Sequence, residues 1–364
     1  MKFFSIIILV IAILYLLTCL RTPIVIAYYK HVYKKLTNYK NKDFADFYVL
    51  LPALREQKLV ESTLKHFNSL KYPKEKLHIF VVTTEKESKG NIPTTKEEVI
   101  KFINSNTTNF ETLNIHYPET VGYKSSQLNY AIKSLIKERS LKKNTYFCVF
   151  DFDSRPDKNF FILANKAVEL YNEPDIVQAV PFFVKNIYEL SKKTKNFLTI
   201  IHGVEQAVRS ANIEIWRLMV NGKNMPLAPQ YAMGASLIVK TKALMEEGYF
   251  PEPVDDLPLG FRYFINKRRF KLLPSMIMGD LPEKPSQVFS QSVFIQKGNL
   301  LALKEIKRKG TAKHTFYRRF LIFYEFLSVF LEKTIIPYIF LIYLILNIWN
   351  FQWVSLLVIA LPFI

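Results

Sequence analysis

Hydrophobic residues are concentrated at the two ends of the chain. The run from Phe3 to Leu20 contains no charged residue, and the run from Phe320 to Ile364 contains only Glu325, Glu332 and Lys333. A membrane-spanning helix needs about 20 apolar residues. The pattern therefore predicts three parts, which are an N-terminal membrane helix at 1–28, a central domain at 29–319 and C-terminal membrane-associated helices at 320–364.

The central domain alternates between two hydrophobic periods. Short apolar runs rich in β-branched and aromatic residues predict strands at Phe47–Leu51, Leu77–Thr83, Leu113–Tyr117 and Thr145–Phe150. Apolar residues at helical spacing predict helices at Gln57–Leu70, at Thr95–Ile103 with Thr95 and Glu98 as its capping pair, and at Ser125–Ile136. Such alternation predicts an α/β fold in which helices flank a mostly parallel sheet.

Charge adds an orientation to this picture. Only Lys2 precedes the first apolar run, whereas Lys30, Lys34 and Lys35 follow it closely. By the positive-inside rule, the central domain is expected to be cytoplasmic and the protein integral to a membrane, the inner membrane if the source is bacterial. A cleaved signal peptide is the weaker interpretation, because the apolar run is longer than the ~7–15 residues of a signal core.

The formal net charge of +19 raises the question of a nucleic-acid partner. The sequence contains no zinc-ligand set or helix-turn-helix signal that would support one. Its basic clusters lie beside the apolar ends, where anionic lipids attract lysine and arginine. The expected partner of these charges is therefore a membrane, and no nucleic acid is expected.

Two acidic residues follow the last predicted strand. Asp151 and Asp153 are spaced i, i+2, so both side chains lie on the same side of an extended chain. Ligands of open α/β sheets bind beyond the carboxyl ends of the strands. Two carboxylates at such a position suit Mn²⁺ or Mg²⁺. The same pattern is also typical of a strand that ends in an acidic turn.

Four further segments carry polar residues or glycine at predicted boundaries. They are Pro52 with Glu56, Lys124 with Asn129, Gly234 with Ala235 and Ser236, and Asp255 with Asp256 before a helix that contains Arg262. Each segment also has a structural interpretation. Lys124 can be a solvated helix start, Gly234 a strand bend, and Asp255 with Asp256 a helix cap.

Taken in order, these segments resemble a membrane-anchored family 2 glycosyltransferase with the GT-A fold. Pro52–Glu56 is similar to the family's Pro-x-x-x-Glu, Lys124–Asn129 to its Lys-x-x-x-Leu-Asn, and Asp151–Asp153 to its metal-binding Asp-x-Asp. Asp255–Asp256 is similar to the acidic pair that supplies the catalytic base. The likeness covers about Asp46 to Leu303, and the order of the four motifs makes it more specific than any one of them.

The resemblance implies inverting, metal-dependent transfer of a sugar from a nucleotide-sugar, expected to be a UDP-sugar, to a lipid or glycan acceptor at the membrane. It also implies roles for individual residues. These are catalysis by Asp256 and Asp255; donor binding by Pro52, Glu56, Thr84, Glu85, Lys124, Asn129 and Asp151; an acceptor side of Gly234, Ala235, Ser236 and Arg262; and Mn²⁺ or Mg²⁺ binding by Asp151 and Asp153.

The chain departs from the family's pattern at two places. An Asp often holds the nucleobase after the second strand, but Val82–Glu87 stands there, with Thr84 and Glu85 as the candidates for that role. The Gln-x-x-Arg-Trp of processive polymerases is missing from the corresponding stretch, Ser290–Asn299. Long-chain polymerisation is therefore not expected.

Two other functions fit parts of the sequence. In haloacid-dehalogenase-like phosphatases the first Asp of an Asp-x-Asp is the nucleophile, so that Asp151 would take this role and Gly279–Asp280 would help to bind Mg²⁺. That motif usually opens its domain, whereas several predicted β/α units precede it here. The third interpretation is a non-catalytic membrane scaffold that has the fold without the activity.

Overall fold

The computed structural model describes most of the chain. The described residues are 6, 9, 13, 16, 20–87, 93–141, 145–192, 197–221, 226–308, 315–331 and 335–349. Most of the predicted membrane helix at 1–28 and the end of the C-terminal tail, 350–364, lie outside them. Of the helices within the described ranges, none has both the length and the apolar character that crossing a membrane requires.

The described strands form two sheets. They are β1 Phe47–Pro52, β2 Leu77–Thr84, β3 Glu111–Tyr117, β4 Tyr146–Val149, β5 Arg155–Pro156, β6 Ile176–Gln178, β7 Pro181–Phe183, β8 Leu237–Lys240, β9 Phe270–Leu272 and β10 Ile277–Gly279. The larger sheet has the order β3-β2-β1-β4-β8-β6-β9, and the smaller has the order β5-β10-β7. In the larger sheet β8 is antiparallel to its two neighbours and the other pairs are parallel. The prediction of a mostly parallel sheet in a mixed α/β fold is confirmed.

The described helices flank this sheet and extend beyond it. They are α1 Arg21–Asn38, α2 Val60–Asn68, α3 Thr95–Ser105, α4 Lys124–Arg139, α5 Phe160–Leu170, α6 Ile187–Ser191, α7 Phe197–Arg209, α8 Ile215–Val220, α9 Thr241–Glu247, α10 Asp256–Ile265, α11 Pro285–Lys307, α12 Phe316–Phe330 and α13 Ile336–Trp349. A π-helical segment, Ser210–Glu214, joins α7 to α8.

The central strands are buried on both faces. Val49 and Leu51 of β1 belong to one hydrophobic core with residues of α1, α2 and α5. Leu50 of the same strand belongs to a second core with residues of α4, α9 and α10. Successive side chains of a strand point to opposite faces. A strand covered by helices on both faces therefore has an uninterrupted apolar sequence, as β1 does.

The elements predicted between Phe47 and Phe150 are all present, with ends shifted by a few residues. The predicted cap of α3 is wrong by one position. Thr94 Oγ1 accepts the Glu97 N–H at 3.3 Å, and the Glu97 carboxylate accepts the Thr94 N–H at 2.7 Å. The Thr95 hydroxyl instead donates to the buried carboxylate of Glu87 at 2.9 Å, a contact with the segment after β2 that helical spacing does not predict.

Helix α10 packs so closely on residues 231 and 232 that only glycine fits. A methyl group on Gly260 would lie 2.0 Å from the Ala232 amide nitrogen and 2.3 Å from Tyr231 Cα. Because α10 begins at Asp256, this contact fixes the start of the helix against the loop that leads into β8.

Replacing Gly260 by Ala should therefore destabilise the protein by about 3 kcal/mol, the upper range for overpacking, because backbone atoms must move. Urea unfolding measures this loss. Gly298→Ala in α11 is the matched control. Its methyl group would meet Leu257 and Val254 at 3.3 Å, so the change in stability should stay within about 1 kcal/mol. Equal stability of the two variants would contradict the close approach at Gly260.

Candidate active site

The parallel strands β1, β2 and β4 end at one edge of the larger sheet. The segments that follow β1 and β4 carry Glu56 and Asp151. Pro52 is the last residue of β1. Pro52 itself has no N–H to donate, and the ladder with β2 extends one residue further, since the Ala53 N–H donates to Val82 O at 3.0 Å. Candidate donor-binding residues therefore share this edge of the sheet.

Asp151 and Asp153 lie on a tight turn after β4. The Ser154 N–H donates to the Asp151 carbonyl at 3.0 Å. Thr63 of α2 donates its hydroxyl hydrogen to the Phe152 carbonyl at 2.9 Å, which holds the turn against the neighbouring helix. The segment is thus an acidic turn, and the same turn brings the two carboxylates to the edge of the sheet.

Several carboxylates at and beside this turn lie close enough to affect one another's pKa values. Burial, followed by the charges of Asp153, Glu87 and Asp151, raises the pKa of Glu56 to about 7. Burial and then Asp151 raise the pKa of Asp153. The Asp280 N–H donates to Asp153 Oδ2 at 3.1 Å and orients that carboxylate. A divalent cation at the turn would offset the part of these pKa shifts that comes from repulsion between carboxylates.

Asp151 and Asp153 fit the requirements of Mn²⁺ or Mg²⁺. They are hard, anionic oxygen ligands whose negative charges repel each other, so a bound cation stabilises both. In the part of the chain that the structure describes, no group of three His, Cys, Asp or Glu side chains is arranged as a metal site. Mg²⁺ in particular is usually held by one or two carboxylates together with water and substrate phosphates. Two protein carboxylates are therefore enough for such an ion.

Lys124, the first residue of α4, lies between this turn and a second acidic segment. Its Nζ donates to Asp151 Oδ1 at 2.6 Å and lies 3.7 Å from Asp255 Oδ2. Burial favours the neutral amine, but the charges of Asp151 and Asp255 outweigh it and raise the pKa of Lys124 above its ordinary value. A single ammonium group therefore bridges the end of β4 and the start of α10.

The second acidic segment contains two carboxylates with different surroundings. Asp256 accepts the Gly234 N–H at 2.9 Å and the Leu257 N–H at 2.7 Å, one on each oxygen. Asp255 is only 4% exposed, and among the described residues its Oδ2 has no hydrogen-bond partner. Burial and then Asp255 raise the pKa of Asp256 to about 6. Backbone N–H groups thus orient Asp256, whereas Lys124 supplies the cation nearest to Asp255.

Gly234 lies among these charged groups. A methyl group there would lie 3.3 Å from Asp256 Oδ2 and Lys124 Nζ, and 3.4 Å from Asp255 Oδ2. A side chain at this position would therefore crowd all three groups. Gly234 thus leaves room for the charged side chains, a role that the strand-bend interpretation does not include. The helix-cap interpretation does not describe Asp255, because its side chain makes no capping hydrogen bond to α10.

Two predicted acceptor-side residues, Ala235 and Ser236, are buried in the protein. Gln178, at the end of β6, holds the loop that contains them and is a residue that sequence analysis missed. Its Oε1 accepts the Met233 N–H at 3.0 Å, and its Nε2 donates to the Ser236 carbonyl at 3.1 Å. Gln178 thus fixes the loop that contains the glycine, and no local spacing signals a contact between strands so far apart in sequence.

Arg262 and Asn129 also bind other parts of the protein. The buried Arg262 guanidinium donates to both carboxylate oxygens of Glu305, at 2.9 and 3.1 Å, and to the carbonyls of residues 247–249. Asn129 donates to the Phe250 carbonyl and accepts the Phe250 N–H, each at 2.9 Å. The structure does not bring either side chain to the charged cluster. Together they hold the segment that leads to Asp255.

The candidates for nucleobase recognition follow or end β2. Thr84 is buried, and its Oγ1 accepts the Lys86 N–H at 3.3 Å. The Glu85 carboxylate lies 2.7 Å from His116 Nε2. Both residues stand beside the end of β1, because Pro52 is paired with the adjacent part of β2.

Glu87 is a further residue that the sequence analysis missed. The residue is 2% exposed, and its carboxylate accepts the N–H of Arg55 and both the N–H and the hydroxyl of Thr95. Arg55 has a φ of 63°, which non-glycine residues seldom adopt. By binding Arg55, Glu87 stabilises the loop that carries Glu56.

The fold relates this chain to known proteins. No protein-family model and no curated protein matches the sequence. The mannosyltransferase PcManGT from Pyrobaculum calidifontis, solved with GDP-Man and Mn²⁺, is similar with a TM-score of 0.52 and 16% identity over 87% of this chain and 80% of that one. S. aureus TarS 1-349, solved with UDP-GlcNAc, is similar with a TM-score of 0.50 and 13% identity over 79% and 73%. At these identities the likeness shows the fold, which is GT-A-like as predicted.

Replacing Glu87 by Ala should destabilise the protein by about 3 kcal/mol, because it leaves buried donors on both loops without an acceptor. Urea unfolding gives the free energy directly. Glu75→Ala is the control, since Glu75 is exposed in the turn before β2, and its loss should cost no more than about 0.5 kcal/mol. If the two variants unfold at the same urea concentration, the role of Glu87 in joining the loops is wrong.

Proposed function

We propose that the protein is a metal-dependent, inverting glycosyltransferase that moves a sugar from a nucleotide-sugar, with a UDP-sugar as the first candidate, to a hydroxyl group of a lipid or glycan. The observation that carries the proposal is the position of Lys124 between the Asp151 turn and the Asp255–Asp256 pair. Binding a nucleotide-sugar donor needs cations and metal ligands, and activating the acceptor hydroxyl needs a base. Here the residues suited to each task lie next to each other. The fold shared with two glycosyltransferases supports it.

On the donor side, Asp151 and Asp153 would hold Mn²⁺ or Mg²⁺. When bound, such an ion offsets the negative charge of the departing diphosphate. Lys124 is a second cation at the same place and would donate to phosphate oxygens as a compact point charge. The Asp280 N–H keeps Asp153 oriented, and the Glu87 contacts keep the Glu56 loop in place on the other side of the turn.

On the acceptor side, Asp256 would be the general base. Its two backbone hydrogen bonds fix the carboxylate, and a pKa of about 6 leaves it mostly ionised at neutral pH. The carboxylate would take the proton of the acceptor hydroxyl as that oxygen forms its bond to the anomeric carbon. Attack from the side opposite to the departing diphosphate inverts the configuration at that carbon. Asp255 would position Lys124 and the loop.

The first test is nucleotide-sugar hydrolysis by the purified protein with and without Mn²⁺. We expect nucleoside diphosphate release that needs the metal and is lost in Asp153→Ala, because that change removes a ligand at the turn. Asp46→Ala is the matched control, since Asp46 pairs with Lys76 before the start of β1, and it should keep full activity. Phosphate release from monoesters in place of diphosphate release would favour the phosphatase interpretation. No turnover of either substrate would favour the scaffold.

The second test separates the base from the donor site. Asp256→Asn keeps the size of the side chain but cannot accept a proton, so transfer should fall by on the order of 10²–10⁴-fold while donor affinity survives. Asp255→Asn should reduce proton transfer less. Calorimetry of donor binding beside transfer to an added acceptor measures both effects. Near-normal transfer by Asp256→Asn would exclude it as the base, and loss of donor binding would assign it to the donor pocket.

The pH dependence of transfer provides an independent prediction. A general base works only in its ionised form. Because burial and Asp255 raise the pKa of Asp256 to about 6, kcat/KM should be level above that pH and fall about tenfold per unit below it. The profile of the remaining activity in Asp256→Asn should lack this step. An unchanged step in that variant would assign the titration to another group.

We further propose that the acceptor is reached at a membrane surface, with the catalytic domain on the cytoplasmic side. The cytoplasmic side is proposed from Lys30, Lys34 and Lys35 after the first apolar run. Helix α7 supports the membrane contact, because its buried residues are Thr199 and Gly203, whereas its apolar side chains are exposed: Phe197, Leu198, Ile201, Val204 and Val208. A helix that packs on a core has the opposite distribution. An exposed apolar helix face of this kind is typical of proteins that lie on lipid.

A nitroxide label at position 201 tests whether the apolar face of α7 contacts lipid, in liposomes that contain the full chain. We expect relaxation by oxygen, which concentrates in lipid, to exceed relaxation by a water-soluble nickel chelate. The control is a label at position 100 on α3, where Ile100 is also an exposed apolar residue, 39% accessible. That label should show the reverse preference. Equal behaviour of the two labels would contradict the membrane contact of α7.

A further inference from the structure

Tyr231 lies in the loop that leads into β8, three residues before Gly234. No step of the proposed sugar transfer uses it, yet it contacts several other elements. Its backbone lies against Gly260 of α10, where only glycine fits. Its ring packs at a steep angle on Phe261 of the same helix, with 5.8 Å between the ring centres. Tyr231 therefore helps to fix this loop against α10.

The hydroxyl of Tyr231 is bound by the π-helical segment between α7 and α8. It donates to Glu214 Oε1 at the end of that segment, and Arg209 Nε donates to the same oxygen at 3.4 Å. Burial raises the pKa of Tyr231, so the hydroxyl keeps its hydrogen at neutral pH and remains a donor. The segment is itself anchored, because the Ser210 hydroxyl donates to the Pro181 carbonyl at 2.9 Å.

A guanidinium group lies over the ring of Tyr231. Arg217 Cζ is 4.7 Å from the ring centre, a distance at which an aromatic face attracts a cation. Arg217 belongs to α8 and pairs with Glu325 of α12. Because Arg217 is only 6% exposed, its charge needs a close partner. Glu325 lies beyond residue 319, outside the central domain that the sequence predicts.

These contacts surround the hydrogen bond that orients the Asp256 carboxylate. The Gly234 N–H belongs to the loop and Asp256 to α10, and their bond of 2.9 Å joins the two elements. Such a bond keeps its length and direction only if both elements are fixed relative to each other. The hydrogen bonds of Gln178 join the loop to β6, whereas Tyr231 joins it to α10, about one helical turn from Asp256.

We propose that Tyr231 is a positioning residue for Asp256. Arg217 and Glu325 hold Tyr231 in turn, so α12 contributes to sugar transfer from outside the central domain. The inference rests on the function proposed above, in which Asp256 is the base. Without its hydroxyl bond, the ring of Tyr231 and the loop can shift relative to α10. The base then loses its fixed direction, while the donor at the Asp151 turn is held as before.

Steady-state kinetics of the full-length protein in detergent test the proposal. Tyr231→Phe removes the hydroxyl and keeps the ring, so kcat should fall about tenfold because the base is misplaced. The KM for the nucleotide-sugar should not change. Tyr72→Phe is the matched control, since the Tyr72 hydroxyl donates to the Ala45 carbonyl at 2.8 Å before the start of β1, and it should keep full kcat. A lower melting temperature with normal kcat in Tyr231→Phe would assign Tyr231 to the fold alone and overturn the proposal.

A kinetic cycle with Asp256→Asn shows whether Tyr231 acts through the base. In the Asp256→Asn protein no ionised carboxylate is left to be positioned. Tyr231→Phe should therefore reduce the remaining transfer by less than about twofold. A loss of equal size in both backgrounds would contradict a role through Asp256.

Glu325→Gln tests the contribution of α12. The change keeps the size of the side chain but removes the charge that pairs with Arg217, so kcat should fall about threefold to tenfold at unchanged KM. Glu111→Gln is the control, because it also breaks an Arg–Glu pair, with Arg139 at 2.6 Å, at the start of β3. It should keep full kcat. Equal kcat in the two variants would overturn the role of α12.

Amide hydrogen exchange provides a readout that does not require turnover. In the substrate-free protein, residues 232–236 should exchange about tenfold faster in Tyr231→Phe, because the Gly234 N–H loses its fixed acceptor. Exchange in β1 should stay the same. Unchanged exchange at 232–236 would overturn the positioning role whether or not the protein transfers sugar. Faster exchange in a protein that shows no transfer would support the positioning of Asp256 and refute the proposed function instead.

Discussion

The ammonium group of Lys124 is the interaction on which the candidate site depends. It lies between carboxylates from two separate elements, Asp151 after β4 and Asp255 before α10. Carboxylates that are brought together away from water repel one another. Removing the cation from such a cluster leaves uncompensated negative charge. With Lys124 in place, the donor-side turn and the acidic pair can adjoin. The rest of the site is arranged around that bridge.

Groups outside the charged cluster provide the geometry that the cluster requires. The Gly234 N–H orients Asp256, and Gln178 fixes the loop that carries this glycine. Gly260 lets α10 approach the same loop. Arg262 joins α10 to Glu305 of α11, so helices outside the sheet support the acidic pair. The charged cluster is thus held by backbone contacts and buried polar side chains that do not themselves belong to it.

The sequence predicted those parts of the structure that depend on local pattern. Strands buried on both faces appear as apolar runs, and Asp151 with Asp153 stood out because they end such a run. Lys124 and the Asp255–Asp256 pair were found through the resemblance to a family, since nothing in the spacing of these residues shows that they meet. They meet only in the folded chain, and hydrophobic periodicity does not predict that contact.

The residues that sequence analysis missed depend on contacts across the fold. In the sequence Glu87 is an ordinary acidic residue after a strand. Its role comes from the hydrogen bonds that it accepts from Thr95 and Arg55. Gln178 ends a strand of three residues, too short for a clear period. Arg262 belongs to the motif around the acidic pair, but its partner in the structure is Glu305. This pairing arises only from the packing of α10 on α11.

The most direct test of this account is a double-mutant cycle on Lys124 and Asp255, measured by urea unfolding. Lys124→Met and Asp255→Asn should show a coupling free energy of about 1–2 kcal/mol, as expected for charged groups within one network. Lys76→Met with Asp46→Asn is the reference cycle, because that half-exposed pair lies at 3.1 Å and should couple by less than about 1 kcal/mol. Additive effects of Lys124→Met and Asp255→Asn, within about 0.5 kcal/mol, would contradict the claim that one ammonium group holds the two halves of the site together.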